Sequence, residues 1–69
     1  MAKKKFNITV FHNGKSCGFI SSINYNENKA NVTNNQTYAR VYKTEDEVQG
    51  EIDYLTKYYF EKGYTFGYI

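Results

Sequence analysis

The residues best suited to covalent chemistry are the single cysteine and the single histidine, Cys17 and His12. A nucleophilic thiol needs solvent exposure, a lowered pKa and a base within reach, and His12 is the one imidazole that could be that base. The strand pattern described below places Cys17 on a core face, where a cysteine behaves as a small apolar residue. The sequence therefore predicts no catalytic residue and a protein that is not an enzyme.

Acidic residues cluster near the start of a predicted helix, where Glu45, Asp46 and Glu47 follow one another. Carboxylates at that end interact favourably with the helix dipole, which accounts for this cluster without a ligand. A hard cation needs several oxygen ligands from converging elements, and one cysteine with one histidine cannot complete a zinc site. We therefore expect no metal and no cofactor.

The best candidate for a binding surface is the segment Tyr38-Ala39-Arg40-Val41-Tyr42, which contains the only arginine. On a strand, Ala39 and Val41 share one face, and the tyrosines share the other face with Arg40. Aromatic rings beside an arginine suit a stacked base, a phosphate or an acidic protein patch, and they are also typical of interface hot spots. Alternatively, the tyrosines pack across strands and Arg40 simply covers them.

Two further residues are expected on the same uncovered face of the sheet, so the predicted partner-binding set consists of Phe11, Ile20, Tyr38, Arg40 and Tyr42. A second candidate set consists of Lys15 and of Tyr54 and Tyr58, which lie four residues apart on the predicted helix. Packing beside the core is the alternative explanation for these two tyrosines.

The elements that would position these residues begin with a hairpin at Asn13-Gly14, where both turn positions favour positive φ. With a two-residue loop, Val10 opposes Cys17 and Ile8 opposes Phe19, so these four side chains share the core face. The other face then carries Asn7, Thr9, Phe11, Ser16, Gly18 and Ile20.

Asparagines interrupt residues 24–37, where we expect a turn at 26–28, a short third strand over 30–33 and a second turn at 34–37. Residues 38–42 then read as a fourth strand that leads directly into a helix.

The helix begins at Thr44, which has the spacing of a capping box with Glu47. One helical face is apolar, and Gly63 can adopt the left-handed conformation that ends a helix. The residues of that face are Val48, Ile52, Leu55 and Tyr59. A final aromatic strand follows over residues 64–69. The sequence thus predicts one α+β domain over residues 1–69, with a disordered basic arm at 1–5. Its single helix packs on one face of a small, mostly antiparallel sheet in the order β-β-β-β-α-β.

The net charge of +2 hides an uneven distribution, because residues 1–43 hold seven of the nine basic residues and residues 44–69 hold six of the seven acids. This distribution indicates either favourable helix electrostatics or a basic sheet that faces an acidic partner. No apolar run approaches the roughly 18 residues of a membrane span, so we expect no membrane partner. A single cysteine and no export signal predict the cytoplasm.

Asn, Lys, Tyr, Ile and Phe make up 34 of the 69 residues, which is the bias of AT-rich coding. Asn-Gly-Lys stands in the first hairpin, Tyr-Lys-Thr-Glu-Asp-Glu leads into the helix, and Gly-Tyr-Thr-Phe-Gly-Tyr forms the final strand. In these features the chain resembles the small accessory proteins of phages and prophages of low-GC bacteria. Many of those proteins are host-takeover or anti-defence factors, including anti-CRISPR proteins, which generally occlude a host protein. Others sequester nucleotide signals.

The resemblance implies a non-enzymatic protein of the bacterial host cytoplasm that binds and blocks a host protein, with a nucleic-acid-processing defence system such as CRISPR-Cas as the expected setting. The first alternative is a nucleic-acid or nucleotide-binding module, in which Lys3–Lys5, Lys15 and Arg40 contact phosphates and tyrosines stack on bases. The second is a purely structural homodimer whose exposed faces pair, since small cores are often stabilised by self-association.

Overall fold

The structure is a computed structural model, and it describes residues 5–69. Its elements are the strands β1 (Ile8–His12), β2 (Lys15–Asn24) and β3 (Lys29–Thr33), the helix α1 (Glu45–Tyr59) and the strand β4 (Tyr64–Tyr68). Short 3₁₀ turns at Gln36–Tyr38 and Phe60–Lys62 come before and after the helix. Except for Lys5, the predicted basic arm lies outside the described residues.

The four strands form one antiparallel sheet in the order β3-β2-β1-β4, and α1 packs across one face of it. This arrangement confirms the predicted α+β fold with a single helix on an antiparallel sheet. The core lies between the two layers, and its buried side chains are Ile8, Val10, Ile20, Tyr42, Val48, Ile52 and Leu55. Within residues 5–69, no helix is long and apolar enough to cross a membrane.

The first hairpin turns at the predicted residues. Asn13 and Gly14 have φ values of 53° and 83°, as a two-residue loop of this type requires, and His12 pairs with Lys15. An Asn-Gly pair accepts positive φ with little strain, which explains why the chain reverses here.

Beyond the loop, β2 departs from the regular pairing by one residue. Phe11 pairs with Ser16 but Val10 pairs with Gly18, so Cys17 is the extra residue of a β-bulge. Gly18 adopts a φ of 129°, and a Cβ atom there would overlap the carbonyl oxygen of Thr33. The predicted pairing of Val10 with Cys17 is wrong, because the bulge shifts the register at this position.

A shift of one residue turns the following side chains of β2 to the opposite face. Phe19 therefore pairs with Thr9 on the open face, and Ile20 enters the core with no exposed surface. Cys17 is exposed, so its predicted place in the core is also wrong. A second irregularity between Ile20 and Ser22 brings Ile23 back to the core side.

Residues 38–42, predicted as a fourth strand, contribute only one bridge to the sheet. Tyr42 exchanges two backbone hydrogen bonds with Phe6, of 2.9 and 2.8 Å. The segment before it is held by Asn7, whose side chain donates to the backbone carbonyl of Arg40 and accepts from the side-chain amide of Gln36. A 3₁₀ turn, side-chain contacts and one 2.8 Å backbone hydrogen bond from the amide of Arg40 to the carbonyl of Ile20 thus replace the predicted strand.

The predicted helix begins and ends close to its expected residues. The hydroxyl of Thr44 accepts a 3.1 Å hydrogen bond from the amide of Glu47, whose carboxylate accepts one from the amide of Lys43. Val48, Ile52 and Leu55 are buried on the predicted apolar face. After one 3₁₀ turn, Gly63 takes a φ of 86° and directs the chain into β4.

Candidate functional site

The structure separates the residues of the predicted partner-binding set, Phe11, Ile20, Tyr38, Arg40 and Tyr42. Phe11 lies half-buried on the sheet face opposite the helix, beside Gly67 of β4. Tyr38 and Arg40 are exposed, but they lie on the segment before the helix and not on a strand. The predicted exposure of Ile20 and Tyr42 is wrong, since both side chains are in the core.

Tyr42 is buried because its single bridge sets its orientation. Pairing with Phe6, whose ring packs against the core, directs the Tyr42 side chain to the helix side of the sheet. Only 5% of the residue is exposed, whereas 51% of Val41 is exposed. The alternation predicted for residues 38–42 is therefore reversed at these two positions.

Arg40 lies over the tyrosine that was expected beside it. Its guanidinium carbon is 5.5 Å from the centroid of the Tyr42 ring, a cation–π distance. This contact agrees with the interpretation in which Arg40 covers a tyrosine. The same segment also borders a groove. A groove of about 310 Å³ separates this segment from α1, and its lining residues are Arg40, Val41, Tyr42, Glu47 and Glu51.

The groove contains a cation on one wall and carboxylates on the other. Glu47 and Glu51 come from the first half of α1, and Arg40 comes from the facing segment. The Tyr42 side chain lines the groove, but its hydroxyl is buried and has no hydrogen-bond partner among the described residues. Burial raises the pKa of Tyr42, and nearby Glu51 raises it further, whereas Arg40 lowers it. The hydroxyl oxygen is closed to solvent, so a partner could reach this donor only if the side chains around it moved.

Tyr25 extends this site, although the sequence analysis did not select it. Its hydroxyl donates a 2.6 Å hydrogen bond to Oε1 of Glu51, and its ring lies edge-on to that of Tyr54, with 5.2 Å between centroids. Burial raises the pKa of Tyr25, and donation to the Glu51 carboxylate adds to the rise. The only signal for Tyr25 in the sequence is that it is an aromatic residue beside an asparagine-rich turn. An aromatic ring at such a position is expected to pack against another element of the fold.

The tyrosines of the second candidate set continue the same surface. Tyr54 stacks against Tyr58 with 4.7 Å between ring centroids, and the Tyr54 hydroxyl donates to the side chain of Asn28. The structure thus joins two members of the first candidate set, Arg40 and Tyr42, to these tyrosines through Glu51 and Tyr25. We call the combined surface the tyrosine–arginine surface, defined as Tyr25, Arg40, Val41, Tyr42, Glu47, Glu51, Tyr54 and Tyr58.

Lys15 belongs to a different part of the fold, the β1–β2 hairpin. The same hairpin holds the potential catalytic pair. The Cys17 thiol donates to the carbonyl of Lys15 at 3.6 Å, and the His12 ring packs on Tyr64 with 4.4 Å between centroids. Neither of these contacts joins Cys17 to His12, so they do not orient the imidazole towards the thiol.

A second groove, of about 270 Å³, crosses the sheet at the C-terminal end of α1. Its lining is mostly apolar, and apart from tyrosine hydroxyls its one ionisable side chain is Lys62. The lining residues are Val10, Ile20, Ala30, Val32, Tyr59, Lys62, Tyr64 and Phe66. Residues 5–69 include no group of three or more His, Cys, Asp or Glu side chains that could hold a metal ion.

The chain was compared with protein-family models, with curated proteins and with solved structures. None of the three comparisons finds a match.

Proposed function

We propose that this chain is a non-enzymatic binding protein that occludes a host protein through the tyrosine–arginine surface. The observation that carries the proposal is the composition of the groove beside Arg40. It combines one cation, two carboxylates and a buried tyrosine, and the exposed Tyr25 is hydrogen-bonded to one of the carboxylates, that of Glu51. Aromatic and arginine side chains around a partly desolvated centre are typical of the residues that dominate protein–protein binding.

The charges of the groove favour a protein partner over a nucleic acid. Arg40 shares its groove with Glu47 and Glu51, and Glu45 and Asp46 follow one another at the start of the same helix. A phosphate that approached Arg40 would meet these carboxylates, so a nucleic-acid or nucleotide-binding role is the weaker proposal at this surface. A protein can present a carboxylate to Arg40 and a donor to the glutamates at the same time.

The exposed apolar area adjacent to the groove supports the same proposal. Val41, Tyr25 and Tyr58 are each more than 40% exposed, and Tyr38, which precedes Arg40 by two residues, is 70% exposed. Binding is favoured when a partner removes large apolar side chains beside a polar groove from water, because this burial lowers the free energy of the complex. The biological setting follows from the resemblance in composition. We propose an accessory protein of phage or prophage origin that acts in the bacterial cytoplasm against a defence system such as CRISPR-Cas.

The proposal is tested by affinity capture from a nuclease-treated lysate of a low-GC bacterium, followed by purification of the enriched host protein and a titration. Arg40→Glu and Lys15→Glu change the net charge equally, but only Arg40 lies on the tyrosine–arginine surface. We expect Arg40→Glu and Val41→Asp to weaken binding at least tenfold, and Lys15→Glu to leave it within twofold.

Equal affinity of the Arg40 and Lys15 variants would refute the assignment of the surface. The dependence of affinity on salt separates the two proposed partner classes. Phosphate contacts release counterions and give a steep decrease in affinity as the salt concentration rises, whereas a protein partner retains binding in moderate salt after nuclease treatment.

A further inference from the structure

The outer edge of β4 is unpaired among the described residues. β4 is the last strand in the order β3-β2-β1-β4, and it pairs over all five of its residues with β1. Asn7 and Ile69 exchange backbone hydrogen bonds, and the amide of Asn13 donates to the carbonyl of Gly63. Because bonded pairs alternate along an antiparallel ladder, the pairs at positions 65 and 67 also bond to β1. The backbone groups of residues 64, 66 and 68 therefore point outward.

This edge lacks the features that usually prevent strands from pairing between molecules. β4 has the sequence Tyr-Thr-Phe-Gly-Tyr, with no charged residue and no proline, and its register with β1 is regular. The opposite edge differs, because β3 begins at Lys29 and its register with β2 is interrupted between Ile20 and Ser22. Charges and irregular pairing discourage edge association, so β4 is the edge open to another strand.

We propose that two copies of this chain pair through β4, antiparallel and centred on Phe66, to form a continuous eight-stranded sheet. In this arrangement, the outward N–H and C=O groups of one β4 strand lie opposite the C=O and N–H groups of the other. Phe66 pairs with its own copy and Tyr64 with Tyr68 of the second copy, and each such pair exchanges two backbone hydrogen bonds. On the open face, Thr65 lies opposite Gly67 of the second copy, so the smallest side chain faces a small one and the strands can approach closely.

The side chains on the helix side add apolar contacts to this pairing. Tyr64 and Phe66 are half-buried, Tyr68 is exposed, and each would gain an aromatic neighbour across the two-fold axis. The interface would be isologous, which closes the assembly at two copies and leaves no free β4 edge for further growth. A five-residue ladder buries less than about 1,200 Å², so we expect dissociation constants on the order of micromolar.

The test measures the mass of the whole chain by sedimentation equilibrium, at concentrations from low micromolar to several hundred micromolar. This range spans the expected dissociation constant. We expect a monomer–dimer equilibrium for the unchanged chain. Tyr68→Pro removes an outward amide while it preserves the bonds to β1, and should weaken dimerisation at least tenfold. Tyr68→Ala is the matched control, because it removes the same ring but keeps the amide, and it should weaken dimerisation less.

Amide hydrogen exchange of the unchanged chain gives a second test that does not depend on how well the proline variant folds. At high concentration, the amides of Tyr64, Phe66 and Tyr68 should exchange more slowly, whereas those of Thr65 and Gly67 should not change. A chain that stays monomeric throughout overturns the proposal, as does a dimer in which these three amides exchange at the same rate as in the monomer. Binding of a host protein through Arg40 is measured separately, so either proposal can fail alone.

Discussion

The hydroxyl of Tyr25 donates a 2.6 Å hydrogen bond to the carboxylate of Glu51, and this contact joins the end of the β2–β3 hairpin to the middle of α1. The ring of Tyr25 also lies edge-on to Tyr54, one helical turn later. The hairpin tip and the helix therefore share a surface that neither element forms alone.

A double-mutant cycle of Tyr25→Phe and Glu51→Gln should show this coupling. We expect an interaction free energy of about 0.5–1 kcal/mol, since a bond to a charged acceptor is strong but this pair is partly exposed to water. Urea unfolding of the four proteins measures it. Tyr58→Phe combined with Glu51→Gln is the control, because no bond joins the Tyr58 hydroxyl to Glu51, and there the interaction should be near zero. Similar coupling in both cycles would contradict the contact.

The β-bulge of β2 should make the chain sensitive to substitution at Gly18. Alanine there would require a φ of 129° and would overlap the Thr33 carbonyl, so Gly18→Ala should destabilise the fold by about 2–4 kcal/mol. Gly14 also has positive φ but no atom near its added Cβ, so Gly14→Ala should lower stability by about 1 kcal/mol. Chemical denaturation measures both values. Equal losses would show that backbone strain, and not the contact with β3, determines the effect.

Local signals in the sequence were sufficient for the first turn and for the start, the end and the buried face of the helix. The Asn13-Gly14 turn, the Thr44 cap and the Gly63 stop each depend on the backbone preferences of one or two residues, and all three are present as predicted. Apolar spacing likewise identified the buried face of the helix. These features are local, so they can be read without knowledge of the tertiary contacts.

The candidate site was predicted less well because its geometry depends on contacts distant in sequence. One extra residue at Cys17 moved Ile20 from the predicted open face into the core. A single bridge to Phe6, 36 positions earlier, turned Tyr42 inward. Tyr25 was missed because its partners lie on a helix that begins 20 residues later. No periodic pattern within one segment encodes these relationships.

The exposed position of Cys17 predicts rapid labelling of the folded chain. Its thiol makes one weak contact, with the Lys15 carbonyl, and it does not pack in the core. We expect maleimide to modify Cys17 without denaturant at a rate near that of the urea-unfolded chain. Cys17→Ser should change stability by less than about 0.5 kcal/mol. Protection of the thiol by more than tenfold in the folded state would contradict its exposure.

The tyrosines predict a loss of stability in alkali. Burial raises the pKa values of Tyr25, Tyr42, Tyr54 and Tyr59 in the folded chain above the value near 10 of an unfolded chain. The folded state therefore holds more protons above about pH 10, and stability decreases as the pH rises through that range.

Tyr42, the most buried of the four, contributes a slope of up to about 1.4 kcal/mol per pH unit while it stays protonated in the folded chain. Urea unfolding between about pH 8 and pH 11 measures the decrease, and tyrosinate absorbance follows the ionisation. Tyr42→Phe should reduce the slope because it removes one of these groups. An unchanged free energy of unfolding up to about pH 11 would show that the hydroxyls ionise equally easily in both states.

Two tyrosine hydroxyls should respond in opposite ways to removal. The Tyr42 hydroxyl is buried without a partner among residues 5–69, so Tyr42→Phe should raise stability near neutral pH by about 1 kcal/mol. The Tyr59 hydroxyl donates to the backbone carbonyl of Asn28, so Tyr59→Phe should lower stability by about 1 kcal/mol. Thermal and urea unfolding of the two variants give the comparison.

The same pair separates stability from binding at the tyrosine–arginine surface. If a partner satisfies the Tyr42 hydroxyl, Tyr42→Phe gives a more stable chain that binds the host protein more weakly, whereas Tyr59→Phe gives a less stable chain with unchanged affinity. A Tyr42→Phe variant that is more stable and binds equally well would show that the buried hydroxyl takes no part in recognition. A less stable Tyr42→Phe chain would indicate that the hydroxyl already has a partner in the folded protein, because removal of a hydroxyl lowers stability when a hydrogen bond is lost with it.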